Sequence, residues 1–128
     1  MKKLLLVGLL IFTVVICAHP LFTWLGGIGM QNPQKGWAAP LTFTSGSILF
    51  YTTGYPETLT VLEKAIVVFP QDDGVSQACF LIGQCYEKEQ NNAKARLWYE
   101  RTLARWPNHA WAGEMRRRLN AMEVQEDR

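Results

Sequence analysis

A glycine and a proline recur at the same separation in two parts of this 128-residue sequence. Gly46 precedes Pro70 by 24 residues and Gly83 precedes Pro107 by the same 24, so a shift of 37 residues relates the two pairs. Internal repetition at this period is typical of stacked helical hairpins, and it predicts an all-α chain. The same shift aligns five further pairs: Ala65 with Thr102, Leu62 with Tyr99, Thr58 with Ala95, Leu49 with Tyr86, and Phe43 with Phe80.

These positions have physical roles in a helical hairpin. Small residues at Gly83 and Ala95 let two antiparallel backbones approach closely, while the larger Tyr86 and Tyr99 fill the space around the contact. Pro107 lacks an amide hydrogen and disfavours the α conformation in the residue before it, so a helix should end there. The pattern therefore predicts two hairpins with equivalent contacts.

The stretch FLIGQCYEKEQNNAKARLWYERTLARWP, residues 80–107, resembles a tetratricopeptide repeat. In that family, small residues, large apolar residues and a proline stand at fixed positions of the unit. Cys79 and Thr42 stand where the family often has tryptophan. The resemblance assigns nine residues to structural positions of the repeat: Gly46, Leu62, Ala65, Pro70, Gly83, Tyr86, Ala95, Tyr99 and Pro107.

The resemblance implies a short α-solenoid of two tetratricopeptide-like hairpins, residues 39–72 and 76–109. In this interpretation residues 110–122 form a capping helix and residues 123–128 a tail. Residues 27–38 are rich in glycine and are interpreted as a linker.

Two places in the repeats need further interpretation. In residues 40–53 the Thr, Ile, Phe and Tyr side chains favour a strand, whereas the repeat predicts a helix. The 37-residue period also exceeds the family's unit of about 34 by three residues, which fall at 73–75, where a turn would accept them.

An unbroken apolar run follows two lysines at the N-terminus. The run LLLVGLLIFTVVICA, residues 4–18, has the outline of a secretory signal, and cleavage after Ala18 is one outcome. Because the apolar character continues, residues 1–26 could instead remain as an anchor helix of the roughly 20 residues that cross a bilayer. In both interpretations the lysines stay in the cytoplasm and the repeats leave it, either anchored to the membrane or secreted to the periplasm.

No set of residues typical of catalysis or metal binding occurs in the sequence, so we expect neither a cofactor nor a small-molecule substrate. Cys79 and Cys85 are six residues apart, about 9 Å along one helix, which is too far for a disulfide and fits two small core residues. His109 stands at a helix start, where a capping or surface role is expected. An enzyme that uses Cys79, Cys85 or His109 is the remote alternative.

The resemblance also implies a binding surface. In the family, residues in the first helix of each unit line a concave groove, and in this chain those positions hold several aromatic residues. Exposed aromatic residues in one patch mark contact sites. The alternative is that some of them pack the core or residues 20–38. The predicted groove consists of Phe43, Ser47, Phe50, Tyr51, Gln77, Phe80, Gln84, Glu87, Lys88, Trp111, Glu114 and Arg118.

Basic residues concentrate in the second helix of the second repeat and in the capping helix. From Lys94 to Arg118 there are seven basic and two acidic residues, against a net charge of +2 for the whole chain. Such a surface could meet anionic lipid or an acidic partner, or it could be an ordinary solvated face. Nucleic acid is not expected as a partner outside the cytoplasm.

These observations favour a noncatalytic protein-protein interaction module, a scaffold or assembly factor of the cell envelope. It would bind a protein or peptide in the aromatic groove and reach the membrane through its N-terminal segment. Because about three repeats are usually needed for a stable stack, the alternative is a structural subunit that is stable only within a larger membrane complex. The partner's identity and the oligomeric state stay open.

Overall fold

The computed structural model of the chain describes residues 1–52 and 54–126. Within them there is no strand, which confirms the prediction of an all-α chain and shows residues 40–51 to be helical; Thr53 lies outside the described residues. Six helices follow one another: α1 (Lys2–Gln31), α2 (Ala38–Tyr51), α3 (Tyr55–Val68), α4 (Gly74–Lys88), α5 (Asn92–Arg105) and α6 (Ala112–Glu126).

The first half of α1 is exposed. Every side chain from Lys2 to Cys17 is exposed, and an 18-residue window of α1 has a mean hydropathy of 2.5. The helix is therefore long and apolar enough to be a signal anchor or a membrane span. Pro20 lies inside it without ending it.

The second half of α1 packs against α2. Gly26 and Gly29 are the buried residues of α1, and Thr42 Oγ1 donates a hydrogen bond of 3.3 Å to the carbonyl oxygen of Gly26. A Cβ on Gly29 would lie 2.7 Å from the carbonyl oxygen of Ala38, while His19 Nε2 lies 2.9 Å from that of Thr52. As the residue number falls along α1, from Gly29 to His19, the number of its partner rises from Ala38 to Thr52. Helices α1 and α2 are therefore antiparallel.

Three predicted boundaries need correction. The N-terminal helix runs to Gln31 rather than ending near residue 26, so the connection to α2 is residues 32–37 rather than a linker over 27–38. Close packing of its glycines on α2 outweighs their low helix propensity. The extra residues of the period are not all in a turn, because α4 already begins at Gly74, whose amide donates to Asp72 Oδ1 at 2.8 Å. The last helix extends to Glu126, beyond residue 122.

The turns that follow α1, α3 and α5 resemble one another, and they lie at residues 32–37, 69–73 and 106–111. Pro33, Pro70 and Pro107 each stand second in their turn, 37 residues apart. In each turn the amide of the fourth residue donates to the carbonyl oxygen of the first: Lys35 to Asn32 at 3.0 Å, Asp72 to Phe69 at 3.2 Å and His109 to Trp106 at 3.2 Å. The sequence analysis did not identify the first of these turns, at Pro33. Helix α1 ends at the same position of the 37-residue period as α3 and α5.

The two glycines of the repeat have equivalent contacts. A Cβ on Gly46 would lie 2.7 Å from Leu62 Cγ, and one on Gly83 would lie 2.7 Å from Tyr99 Cδ1. Helices α3 and α5 also begin and end 37 residues apart, at Tyr55–Val68 and Asn92–Arg105. At both glycines, a side chain of the following helix occupies the space that a Cβ would need, so α3 packs on α2 and α5 on α4 in the same way.

Candidate binding groove

A cavity lies across α2, α4 and the start of α6. Its volume is about 270 Å³, and eight of the twelve predicted groove residues line it. We call it the α2/α4/α6 groove. Its lining is Phe50, Tyr51, Gln77, Phe80, Leu81, Gln84, Trp111, Glu114 and Arg118.

The other four predicted residues are not part of this lining. Phe43 is only 8% exposed, and its ring packs on that of Phe69 with centroids 6.2 Å apart, so it belongs to the core. Ser47 is half-buried and donates to the carbonyl oxygen of Phe43 within its own helix. Lys88 is exposed at the end of α4, and Glu87 pairs with Arg118. Assigning Phe43 to the groove was wrong because the start of α4 covers it: a Cβ on Gly74 would lie 2.7 Å from its ring.

The aromatic residues of the groove lie at different depths. Phe80 is only 5% exposed, and it packs between Tyr99, at 6.0 Å between centroids, and Trp111, stacked at 5.4 Å. Trp111 and Tyr51 remain 43% and 73% exposed. Phe80 is therefore the buried base of the groove, and Trp111 and Tyr51 are the aromatic side chains available to a partner.

Leu81 is the lining residue that the sequence did not predict. It is 3% exposed and belongs to the main core cluster. The repeat pattern places groove residues at fixed positions of the first helix, and Leu81 occupies none of them. Only its apolar character and its position next to Phe80 could have indicated from the sequence that Leu81 lines the groove.

A charged network includes two residues of the groove lining, Glu114 and Arg118. Arg118 Nη1 lies 2.7 Å from Glu87 Oε2, and Arg118 Nε lies 2.8 Å from Glu114 Oε1. Glu87 also accepts a hydrogen bond from the Tyr99 hydroxyl. Because these residues come from α4, α5 and α6, the network ties the last three helices together.

The network also shifts acid–base equilibria. The hydrogen bonds that Arg117 and then Arg118 donate to Glu114 outweigh burial and lower the pKa of that carboxyl. Burial, followed by the hydrogen bond to Glu87, raises the pKa of the Tyr99 hydroxyl. At neutral pH Glu114 is therefore ionised and Tyr99 is a neutral phenol.

The residues of the remote enzyme alternative lie apart from the groove lining. His109 Nδ1 accepts a hydrogen bond of 3.2 Å from the amide of Trp111, which is the capping type of role expected for it. Cys79 and Cys85 are buried, and burial raises the pKa of both thiols, that of Cys85 to about 12. A neutral, buried thiol is a poor nucleophile.

Part of the basic surface has partners within the chain. Lys94 Nζ lies 5.0 Å from the centroid of the Tyr86 ring, and the Arg105 guanidinium lies 4.5 Å from that of Trp106. Arg105 also donates to the carbonyl oxygen of Pro70 at 3.3 Å. These cations cover aromatic rings, as expected for an ordinary solvated face.

Comparison with protein-family models, with curated proteins and with solved structures finds no match to this chain.

Proposed function

We propose that this chain is a noncatalytic protein-binding module, a scaffold or assembly factor held at or exported across a membrane of the cell envelope. In this proposal two tetratricopeptide-like hairpins and α6 form a short solenoid that presents the α2/α4/α6 groove to a segment of a partner protein. The observation that supports it is that eight residues predicted for the groove, five from repeat positions and three from the last helix, line a single cavity.

The size and lining of the groove favour a peptide. Its volume of about 270 Å³ lies just below the roughly 300–1,000 Å³ of small-molecule pockets, and it suits one or two apolar side chains. Trp111 and Tyr51 offer exposed aromatic surface of the kind enriched at binding hot spots. Gln77 and Gln84 supply amide groups that can pair with the backbone of an extended segment.

The charge of the groove favours an uncharged side chain. Arg118 already faces the carboxylates of Glu87 and Glu114 at 2.7 and 2.8 Å. A partner carboxylate would have to compete with both of them. We therefore propose an internal apolar segment of the partner as the ligand rather than a chain end.

Site-specific photocrosslinking in native membranes tests the proposal. A photoreactive amino acid at Gln84 should form a discrete adduct with a partner, whereas the same amino acid at the exposed Gln71, in the turn before α4, should not. Trp111→Ala should abolish the Gln84 adduct. Trp37→Ala is the matched control, since Trp37 is 48% exposed and stands at the same place in the first of the three turns. An adduct that survives Trp111→Ala, or that forms equally from Gln71, would refute the groove.

A further inference from the structure

The exposed part of α1 is too short to cross a bilayer by itself. At His19 the helix already meets the end of α2, because His19 Nε2 lies 2.9 Å from the carbonyl oxygen of Thr52, the residue that follows α2. From Leu4 to His19 a helix rises about 22 Å, whereas the hydrocarbon core is about 30 Å thick. The difference of about 8 Å equals roughly five more residues of α1. A full crossing therefore takes α1 into the membrane to about Trp24.

The residues after His19 are suited to that position. From Leu4 to Gln34 the sequence has no Asp, Glu, Lys or Arg. Leu21 and Trp24 are 49% and 62% exposed, although α1 is by then packed against α2. Tryptophan is enriched at membrane–water interfaces. This stretch can thus enter the interfacial layer without burying a charged side chain.

The turn from α2 to α3 lies beside this stretch. Because α2 runs antiparallel to α1, the end of α2 returns to the level of His19. Phe50, Tyr51 and Tyr55 cluster there, with ring centroids 5.3 Å apart for Phe50 and Tyr51 and 5.7 Å apart for Phe50 and Tyr55. We call these three residues the α2–α3 corner.

The equivalent turn between α4 and α5 shows that the fold does not require aromatic residues there. A shift of 37 residues replaces Phe50, Tyr51 and Tyr55 by Glu87, Lys88 and Asn92. The two turns nevertheless share a backbone hydrogen bond: the amide of Gly54 donates to Leu49 at 2.9 Å, and that of Asn91 donates to Tyr86 at 2.8 Å. The aromatic corner therefore needs a cause outside the turn geometry.

We propose that the α2–α3 corner is inserted into the membrane that α1 crosses, at the inner edge of the headgroup layer and into the outermost hydrocarbon, so that the protein contacts lipid through the corner as well as through the helix. The proposal rests on α1 remaining uncleaved as a membrane span. Because Phe50 and Tyr51 also line the α2/α4/α6 groove, it places that side of the groove at the membrane surface. Tyrosine, like tryptophan, is favoured in this layer because its ring is apolar and its hydroxyl can reach water. Tyr51, 73% exposed, is the corner residue that would contribute most to the contact.

Spin labels on the full-length protein in phosphatidylcholine vesicles test the proposal. In a Cys17→Ser background, whose Cys79 and Cys85 are buried, a nitroxide is attached in separate variants at Leu10→Cys, Tyr51→Cys and Lys88→Cys. Collisions with oxygen report membrane depth, and collisions with a water-soluble nickel chelate report exposure to water. Lys88 is the matched control because it is the counterpart of Tyr51 in the next repeat.

We expect a high ratio of oxygen to nickel collisions at residue 10, an intermediate ratio at residue 51 and a low ratio at residue 88. A label at residue 51 that behaves like the one at residue 88, while residue 10 is deep, would overturn the proposal and leave α1 as a span. A label at residue 10 that collides freely with nickel would overturn both. Far-UV circular dichroism of each labelled variant checks that the helices are intact.

Discussion

Gly83 lies against the ring of Tyr99 so closely that a Cβ on the glycine would come within 2.7 Å of Tyr99 Cδ1. The Tyr99 hydroxyl donates to Glu87, which prevents the ring from turning aside. We therefore expect Gly83→Ala to lower the free energy of unfolding by about 1–3 kcal/mol, the usual cost of overpacking. Urea denaturation followed by circular dichroism measures the loss.

Two other glycines act as controls for that variant. Gly46→Ala should also destabilise, but by less, because its Cβ would meet the Leu62 side chain, which can adopt another rotamer. Gly113 has no atom within 4 Å of its Cβ position, so Gly113→Ala should leave stability unchanged or raise it by up to about 1 kcal/mol. Equal effects at all three positions would contradict the close approach of the helices.

The second half of α1 should be required for stability. It covers Ala38 and Thr42, both 0% exposed. We expect residues 19–128 to unfold in one cooperative transition, and removal of residues 19–31 to cost at least about 2 kcal/mol, which lowers Tm by roughly 10 °C in a domain of this size. Calorimetry of the two chains measures this difference.

The same calorimetry separates the proposed module from the structural-subunit alternative. A subunit that is stable only within a larger complex would show no cooperative transition in either chain. Equal Tm values for residues 19–128 and 32–128 would instead mean that the packing of Gly26 and Gly29 on α2 contributes nothing.

Cys79 and Cys85 should resist modification in the native protein. In a Cys17→Ser variant, a maleimide should react with neither thiol until urea unfolds the chain, because both are buried and burial raises the pKa of each. Mass spectrometry counts the modified thiols at each urea concentration. A thiol that reacts before unfolding would revive the enzyme alternative.

Stability should decline at alkaline pH. Burial, aided by nearby carboxylates, raises the pKa of Cys85 and of Tyr86 to about 12, from ordinary values of 9.0 and 10.0. The folded state thus keeps protons that the unfolded state releases, so the contribution of these two groups to stability is constant below about pH 9 and falls as the pH rises towards 12. Urea midpoints between pH 7 and 11 give the profile.

Tyr86→Phe separates the two groups in that profile. The Tyr86 hydroxyl donates to Glu63 Oε1 at 2.7 Å, and the variant removes this hydrogen bond together with the ionisable proton. Its urea midpoint should be lower at pH 7 but should fall less steeply between pH 10 and 11. A parallel decline in both proteins would assign the pH dependence to other groups.

The positions of the helices were easier to predict from this sequence than the burial of individual side chains. Gly46, Gly83 and Pro107 mark close approaches and a helix end by backbone geometry alone, and the structure agrees with each. The pattern did not predict that Phe43 is core rather than groove, because that depends on how the start of α4 packs over it. Burial is set by neighbours distant in sequence, which a repeat position does not specify.

The third turn, at Pro33, was missed for a different reason. The residues before it are apolar on all sides of the helix, so they show no helical periodicity, and Gly26 and Gly29 suggested a linker. In the structure those two glycines are the buried contacts of α1. Counting back 37 residues from Pro70 would have found the turn.

Helix α1 has no break between its exposed, apolar part and the part packed on α2. In a bilayer, any rotation of the N-terminal part about its own axis would turn the whole domain through the same angle. The opening of the groove would then always face the same direction relative to the membrane-spanning part of α1. A partner anchored in the same membrane would reach the groove from one side only, because no flexible linker would let the domain rotate towards it.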